Sequence, residues 1–305
     1  MTSVLSRRNF AMGGVAAMAS PALGASDRRL VETPLGQLAL PAEPRRVVAI
    51  DSRISLEMAL ALELPLVGYS HSRARPWVPV PASVPFLAAP PDLEQILMLG
   101  PDLILCPDTA PHSEWWPLAR LSRIAPVLPS NHRIHWRTNL ERLASWLAHP
   151  AATERVAAGY AERIAELRRR HAGLLQRSLF AAATYDPLKR RLVIRSDGTG
   201  YGFVMPAQVL TDLGGRSVEA AQLGPYGELA LESFGDVLGQ VDGILLIDLG
   251  DRAPLALERE ALWQRLPAVR AGRVHTVPGN CIFGSVYTAR FLADAWDALL
   301  VRMSS

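Results

Sequence analysis

The chain has 305 residues, 49% of them hydrophobic, 20% charged and 7% aromatic, with 24 Pro and 22 Gly. This is the balance of a folded globular protein and excludes a disordered or fibrous one. Its 32 Lys plus Arg against 29 Asp plus Glu leave a net charge of +3, too small and too dispersed for a nucleic-acid interface.

The chain opens on Ser6-Arg7-Arg8-Asn9-Phe10, followed by a weakly apolar stretch ending in the small residues Ala22, Gly24 and Ala25. Residues 1–25 read as a signal peptide, and the paired arginines resemble a twin-arginine signal, which carries folded proteins across a bacterial inner membrane. A Sec signal with incidental arginines is the competing reading. No other run approaches the roughly 20 uncharged residues of a membrane helix.

Residues 46–51 form a β-branched run that predicts a strand, followed by helical spacing over 54–62 and a second strand over 66–69. Six prolines between Pro76 and Pro91 then deny that stretch regular structure. Beyond it come a helix over 93–99, a buried strand over 102–106, a helix over 115–122 and a strand over 124–128. This alternation predicts parallel β-α units. The longest periodic segment is 153–175, where Val156, Tyr160, Ile164, Leu167, His171 and Leu174 share one face and charged residues fill the others, with Glu166 and Arg170 as an i,i+4 pair.

Further strands are expected over 179–185 and 192–194, a helix over 203–213 stopped by Gly214-Gly215, a strand over 273–277 and a helix over 287–300. A weak repeat relates the two halves: Leu93-Glu94 before Pro101-Asp102-Leu103-Ile104-Leu105 is echoed by Leu231-Glu232 before Val241-Asp242-Gly243-Ile244-Leu245-Leu246. The predicted fold is therefore α/β, two Rossmann-like lobes over 26–150 and 178–305 joined by a single long backbone helix over 151–177.

Catalytic signatures are missing: there is no G-x-S-x-G elbow, and neither a dinucleotide fingerprint nor a P-loop. The Gly-rich run from Asp197 to Gly202 reads as a hairpin-like loop. His132 and His135 read as a solvent-exposed loop pair without a third metal ligand. Cys106 and Cys281 stand far apart, outside any zinc-type spacing, and read as buried thiols. Two lobes and aromatic-rich loops fit a binding cleft better than a catalytic centre.

Four motifs in order, Arg46-Val47-Val48-Ala49-Ile50-Asp51, Pro91-Asp92-Leu93-Glu94-Gln95-Ile96-Leu97, Pro101-Asp102-Leu103-Ile104-Leu105 and the run Leu262-Trp263-Gln264-Arg265-Leu266-Pro267 continuing to Val274, resemble the periplasmic binding proteins of iron-siderophore and cobalamin ABC importers. The ferric-hydroxamate type is the nearest, over residues 46–300. The resemblance implies a shallow cleft between the lobes with little closure, a ferric siderophore as cargo, and delivery to an inner-membrane ABC permease with its ATPase. It also implies a periplasmic location, a monomer, and no cofactor, because iron is held only through the siderophore. Glu94 and Glu232 match the family's permease-docking acids. Trp77 and Tyr226 match cleft aromatics, and Trp115, Trp116 and His112 lie in a stretch that supplies another.

The chain also departs from the pattern. Ala88 stands where the hydroxamate type has an arginine, so Arg73, Arg75 and Arg195 become candidates for the charged donor. Cys281 and Phe283 stand where it has tryptophan and tyrosine. Cobalamin or haem as cargo, and a twin-arginine-exported periplasmic enzyme, are the rival readings.

Overall fold

The computed structural model describes residues 28–304 except 74, 109, 111 and 251; the signal peptide expected over residues 1–25 lies outside them. The chain enters through a hairpin that sequence reading did not anticipate, β1 (Arg28–Thr33) against β2 (Gly36–Pro41), antiparallel from Arg28 opposite Pro41 to Thr33 opposite Gly36. Gly36 takes φ +96 at the turn, a conformation side chains resist.

The first lobe is a four-stranded parallel sheet. β3 (Val47–Ala49) and β5 (Leu103–Pro107) are interior, and β4 (Leu66–Tyr69) and β6 (Val127–Ser130) lie at the edges, in the order β4-β3-β5-β6. Every residue of β3, β5 and β6 is buried, as expected when helices cover both faces of a parallel sheet. The covering helices are α1 (Ser55–Ala61), α2 (Leu93–Leu99), α3 (Leu118–Leu121) and α4 (Trp136–Leu147). Asp92 caps α2 by accepting from the Glu94 amide at 2.8 Å, and Gly100 ends it at φ +52. The helix expected from residue 115 begins only at Leu118, because Pro117 precedes it with ψ +64, outside the helical range.

Between the two sheets run α5 (Pro150–Arg170) and, after a break at His171 (φ −112, ψ +17), the short α6 (Ala172–Arg177), so the single helix expected over 151–177 is split in two. Tyr160, Ile164 and Leu167 form the buried face of α5. Beyond it, the second sheet has six strands: β7 (Leu179–Asp186), β8 (Arg191–Ile194), β10 (Glu228–Ala230), β11 (Gly243–Asp248) and β12 (Val274–Pro278) in the order β10-β8-β7-β11-β12, with β9 (Arg216–Ser217) added on β7. β7, β11 and β12 run parallel, whereas β8 and β10 are antiparallel additions. Its helices are α7 (Met205–Leu213), α8 (Phe234–Leu238), α9 (Ala253–Leu257), α10 (Ala261–Gln264), α11 (Pro267–Arg270) and the C-terminal α12 (Val286–Ser304). Leu231-Glu232 lies in a 3-10 turn ahead of α8 rather than in the helix itself.

One of the buried apolar clusters spans both lobes, beside others confined to a single lobe. Leu103 and Leu105 of the first sheet, Phe180 and Leu245 of the second, and Tyr160, Leu210 and Trp296 from helices between them belong to the same buried cluster. α5 is bolted to α12 by Arg163, which reaches Asp294 at 2.9 Å and Asp297 at 3.0 Å, and by His171 against Asp297 at 2.7 Å. Glu166 and Arg170 pair at 3.2 Å as the spacing predicted, a surface contact of little energetic weight.

Candidate functional site

Both sheets end, at their C-terminal edges, in loops that face each other across a seam, the place where open α/β sheets bind ligands. β3 runs out into Ile50 and Asp51. Asp51 is fully buried and holds Arg53 with Oδ1 2.9 Å from Nε. Burial alone would raise the Asp51 pKa, but Arg53 and then His71 outweigh it and hold the group below its ordinary value. The Arg53 guanidinium sits 5.5 Å from the Trp116 ring and 5.2 Å from the Phe283 ring, a cation between an aromatic of each lobe.

Phe283, on the loop after β12, also meets His132 with ring centroids 4.8 Å apart. Burial first, and the Arg53 charge second, lower the His132 pKa to about 4. His135 accepts from the Arg137 amide at 3.2 Å and caps α4. The expected solvent-exposed histidine pair is therefore corrected: both rings are half-buried, since this loop is pressed against the second lobe. Gly202 shows how closely, because a Cβ there would lie 3.0 Å from Cα of Arg133. The Gly-rich run 197–202 is thus a strand-to-helix loop that fits into the seam, not the hairpin-like connection expected.

Arg195 is 6% exposed, donates to Thr184 at 2.7 Å and lies 5.0 Å from the Tyr201 ring. Its Nε has no hydrogen-bond partner, and burial lowers its pKa. Tyr201 in turn meets Tyr226 edge-on at 5.5 Å. Three aromatics stand out into solvent on this side: Trp115 (44% exposed, 5.9 Å from His71), Phe203 (41%) and Tyr226 (51%). Beside Phe203 the seam leaves a void of only about 10 Å³, lined by Ile54, His132, Phe203 and Phe283 among others, so the shallow cleft expected between the lobes is no more than a narrow gap there. Larger clefts, about 730 and 560 Å³, lie at the opposite end of the first sheet beside Arg28, Ile124 and Pro126. They hold none of these rings, so the seam rim is the better candidate.

Other expected site residues lie elsewhere. Trp77 stacks on Phe291 of α12, centroids 4.1 Å apart and planes 10° from parallel, and donates to Thr288 at 3.0 Å. Arg73 is exposed over the Phe86 ring at 4.5 Å. Two candidates are corrected. Arg75 is 4% exposed and spent on Glu57, Ser52, Thr288 and the Phe283 carbonyl, so it offers a ligand little. Cys281 is fully buried, and burial pushes its thiol up to about 12, which keeps it from a ligand's reach. Cys106 is buried as well. Among the described residues, no three His, Cys, Asp or Glu side chains are grouped so as to hold a metal ion.

Arg53 and His132 were not anticipated as members of a site, although a polar residue just past the first parallel strand was a usable signal for Arg53.

The periplasmic binding protein family model matches residues 47–280, three quarters of the chain. The chain belongs to that family. No curated protein sequence matches it significantly. Among solved structures, the siderophore-binding protein FhuD of Vibrio cholerae bound to Fe3+–Desferal is 24% identical, covering 85% of this chain and 98% of that one with a TM-score of 0.69. A periplasmic solute-binding protein of Mycobacterium smegmatis is 17% identical, with coverages of 91% and 99% and a TM-score of 0.73. FhuD2 of Staphylococcus aureus with bound ferrioxamine B is 15% identical, with coverages of 86% and 100% and a TM-score of 0.70. At these identities the likeness is one of fold, and the binding protein shares the two-lobed α/β architecture of all three. Among its described residues, no helix is long and apolar enough to cross a membrane.

Proposed function

We propose that this binding protein captures a ferric siderophore of hydroxamate type on the seam rim and delivers it, chemically unchanged, to an inner-membrane ABC permease. The observation that carries the reading is Arg53, a guanidinium anchored by Asp51 and held between Trp116 and Phe283 of opposite lobes, with Trp115, Phe203 and Tyr226 exposed around the same seam. A ferric trihydroxamate has its iron saturated by its own oxygens. It asks of a protein only flat apolar walls and a donor for those oxygens, which aromatic rings and a guanidinium supply. Arg53 thereby takes the part that Ala88 leaves vacant. Two relatives of like fold were solved with Fe3+–Desferal and ferrioxamine B, which favours iron-loaded hydroxamates over cobalamin or haem.

The reading extends to delivery and address. Glu94 and Glu232, exposed at equivalent points of the two lobes, would meet basic groups of the permease. The paired arginines at residues 7 and 8 would send the folded chain to the periplasm.

Titration of the intrinsic tryptophan fluorescence with ferrioxamine B tests the reading. Saturable quenching is expected with ferrioxamine B and not with its iron-free form or cobalamin, and Arg53→Ala should weaken it by roughly tenfold or more. No saturable response to any ferric hydroxamate would overturn the proposal.

A further inference from the structure

We propose that Arg195 receives a carboxylate of the cargo, so that the ferric hydroxamate this protein carries bears a free acid group besides its iron-binding ones. This rests on the reading of the chain as a siderophore-binding protein and names the class of siderophore.

Three arginines stand where the lobes meet, and two of them have a counter-ion within the protein. Arg53 is held by the fully buried Asp51, with Oδ1 2.9 Å from Nε, and Arg75 by the fully buried Glu57. Arg195 differs. It is 6% exposed, yet among the described residues no Asp or Glu pairs with it. It donates to the Thr184 hydroxyl at 2.7 Å and lies 5.0 Å from the Tyr201 ring, and its Nε has no hydrogen-bond partner. Glu228, an acid whose charge acts on it from farther off, is engaged with Arg191 at 3.5 Å and with the Tyr226 amide at 2.8 Å.

A guanidinium taken out of water with neither an anion nor a full set of acceptors is costly to the fold. An arriving carboxylate removes that cost, because its two oxygens match the planar fork of N–H donors. The contrast with Arg53 sorts the ligand's groups. A ferric trihydroxamate is neutral, three hydroxamate charges against Fe3+, and Arg53, neutralised by Asp51, can donate to its oxygens without adding charge. Such a complex leaves Arg195 uncompensated, whereas a pendant carboxylate supplies the missing charge. Rings mark the way from the rim: Tyr201 lies over the guanidinium, and Tyr226, 51% exposed, meets Tyr201 edge-on at 5.5 Å. Tyr226 packs on bare backbone at Gly200, where a Cβ would come 2.6 Å from its ring. An iron complex resting on Tyr226 therefore needs only a short acid-bearing arm to reach Arg195.

The test puts three charges on one iron complex. Ferrioxamine B carries a cationic amine; acetylating that amine makes the arm neutral, and succinylating it gives the arm a carboxylate. Fluorescence titration of the binding protein yields the three affinities. The succinylated form should bind roughly tenfold more tightly than the acetylated one. That advantage should vanish in Arg195→Gln, and also in Thr184→Asp, which sets a carboxylate of the protein's own beside the guanidinium. Equal affinity of the wild type for the succinylated and acetylated forms, or an advantage that survives either substitution, would overturn the inference and leave the proposed function standing. If none of the three forms gives saturable quenching, the proposed function itself fails and this inference with it.

Discussion

Glu57 and Arg75 form a buried ion pair that joins the first lobe to the start of the last helix. The Glu57 carboxylate accepts from the backbone amides of Ser285 at 2.8 Å and Thr288 at 3.0 Å, so a side chain of α1 caps α12. Arg75 completes the link through Thr288 and the Phe283 carbonyl. Removing one partner strands a buried charge, so Glu57→Ala should cost about 3–5 kcal/mol of folding stability. Urea denaturation measures this, and a loss under about 1 kcal/mol would contradict the capping role.

Trp77 and Tyr226 should separate cleanly. With its ring stacked on Phe291 and its indole N–H donated to Thr288, Trp77→Ala is expected to cost about 2–4 kcal/mol. Tyr226 is 51% exposed, so Tyr226→Ala should change stability by no more than about 0.5 kcal/mol while weakening ferrioxamine B binding. Thermal melts set beside fluorescence titrations decide it. A Trp77→Ala protein of full stability that no longer binds cargo would return that ring to the ligand site.

His132 makes the fold sensitive to acid. Its pKa is near 4 in the folded chain against an ordinary 6.5, so between those values the unfolded state binds the proton and the folded state does not. This contribution is complete above about pH 6.5 and is lost as pH falls toward 4. Asp197 acts in the opposite sense, because burial raises it to about 6 and lets the folded state hold a proton longer. The difference between His132→Gln and wild type isolates the first effect. The stability lost between pH 7 and pH 5 should shrink in the variant by about 1 kcal/mol, allowing for the partial exposure of the ring. An NMR titration of the His132 ring with a midpoint near 6.5 would refute the assignment.

Much of the scaffold was legible because burial imposes periodicity. The face of Tyr160, Ile164 and Leu167 marked α5, and the unbroken apolar runs of β3, β5 and β11 marked strands covered on both sides. α4 is a helix not expected from the sequence, although Trp136, Leu140, Leu143 and Leu147 repeat at helical steps. The hairpin β1–β2 is short and only partly buried, so its alternation is faint.

The site was less legible for a different reason. Trp115, Arg195, Tyr226 and Phe283 were named from sequence, and all four lie along the seam. The contact that organises it joins Arg53 to Phe283 from the far end of the chain, and periodicity carries no information about such a distance. Likewise Arg75 reads as a free cation until the fold shows Glu57 beside it.

The apolar cluster shared by both sheets has a consequence for signalling. Among the described residues, apolar packing that runs from one sheet to the other opposes a hinged closure of the lobes. On the proposed reading the molecule's outline changes little on loading, so a permease would tell a loaded molecule from an empty one by the bound complex itself and by the rings that frame it.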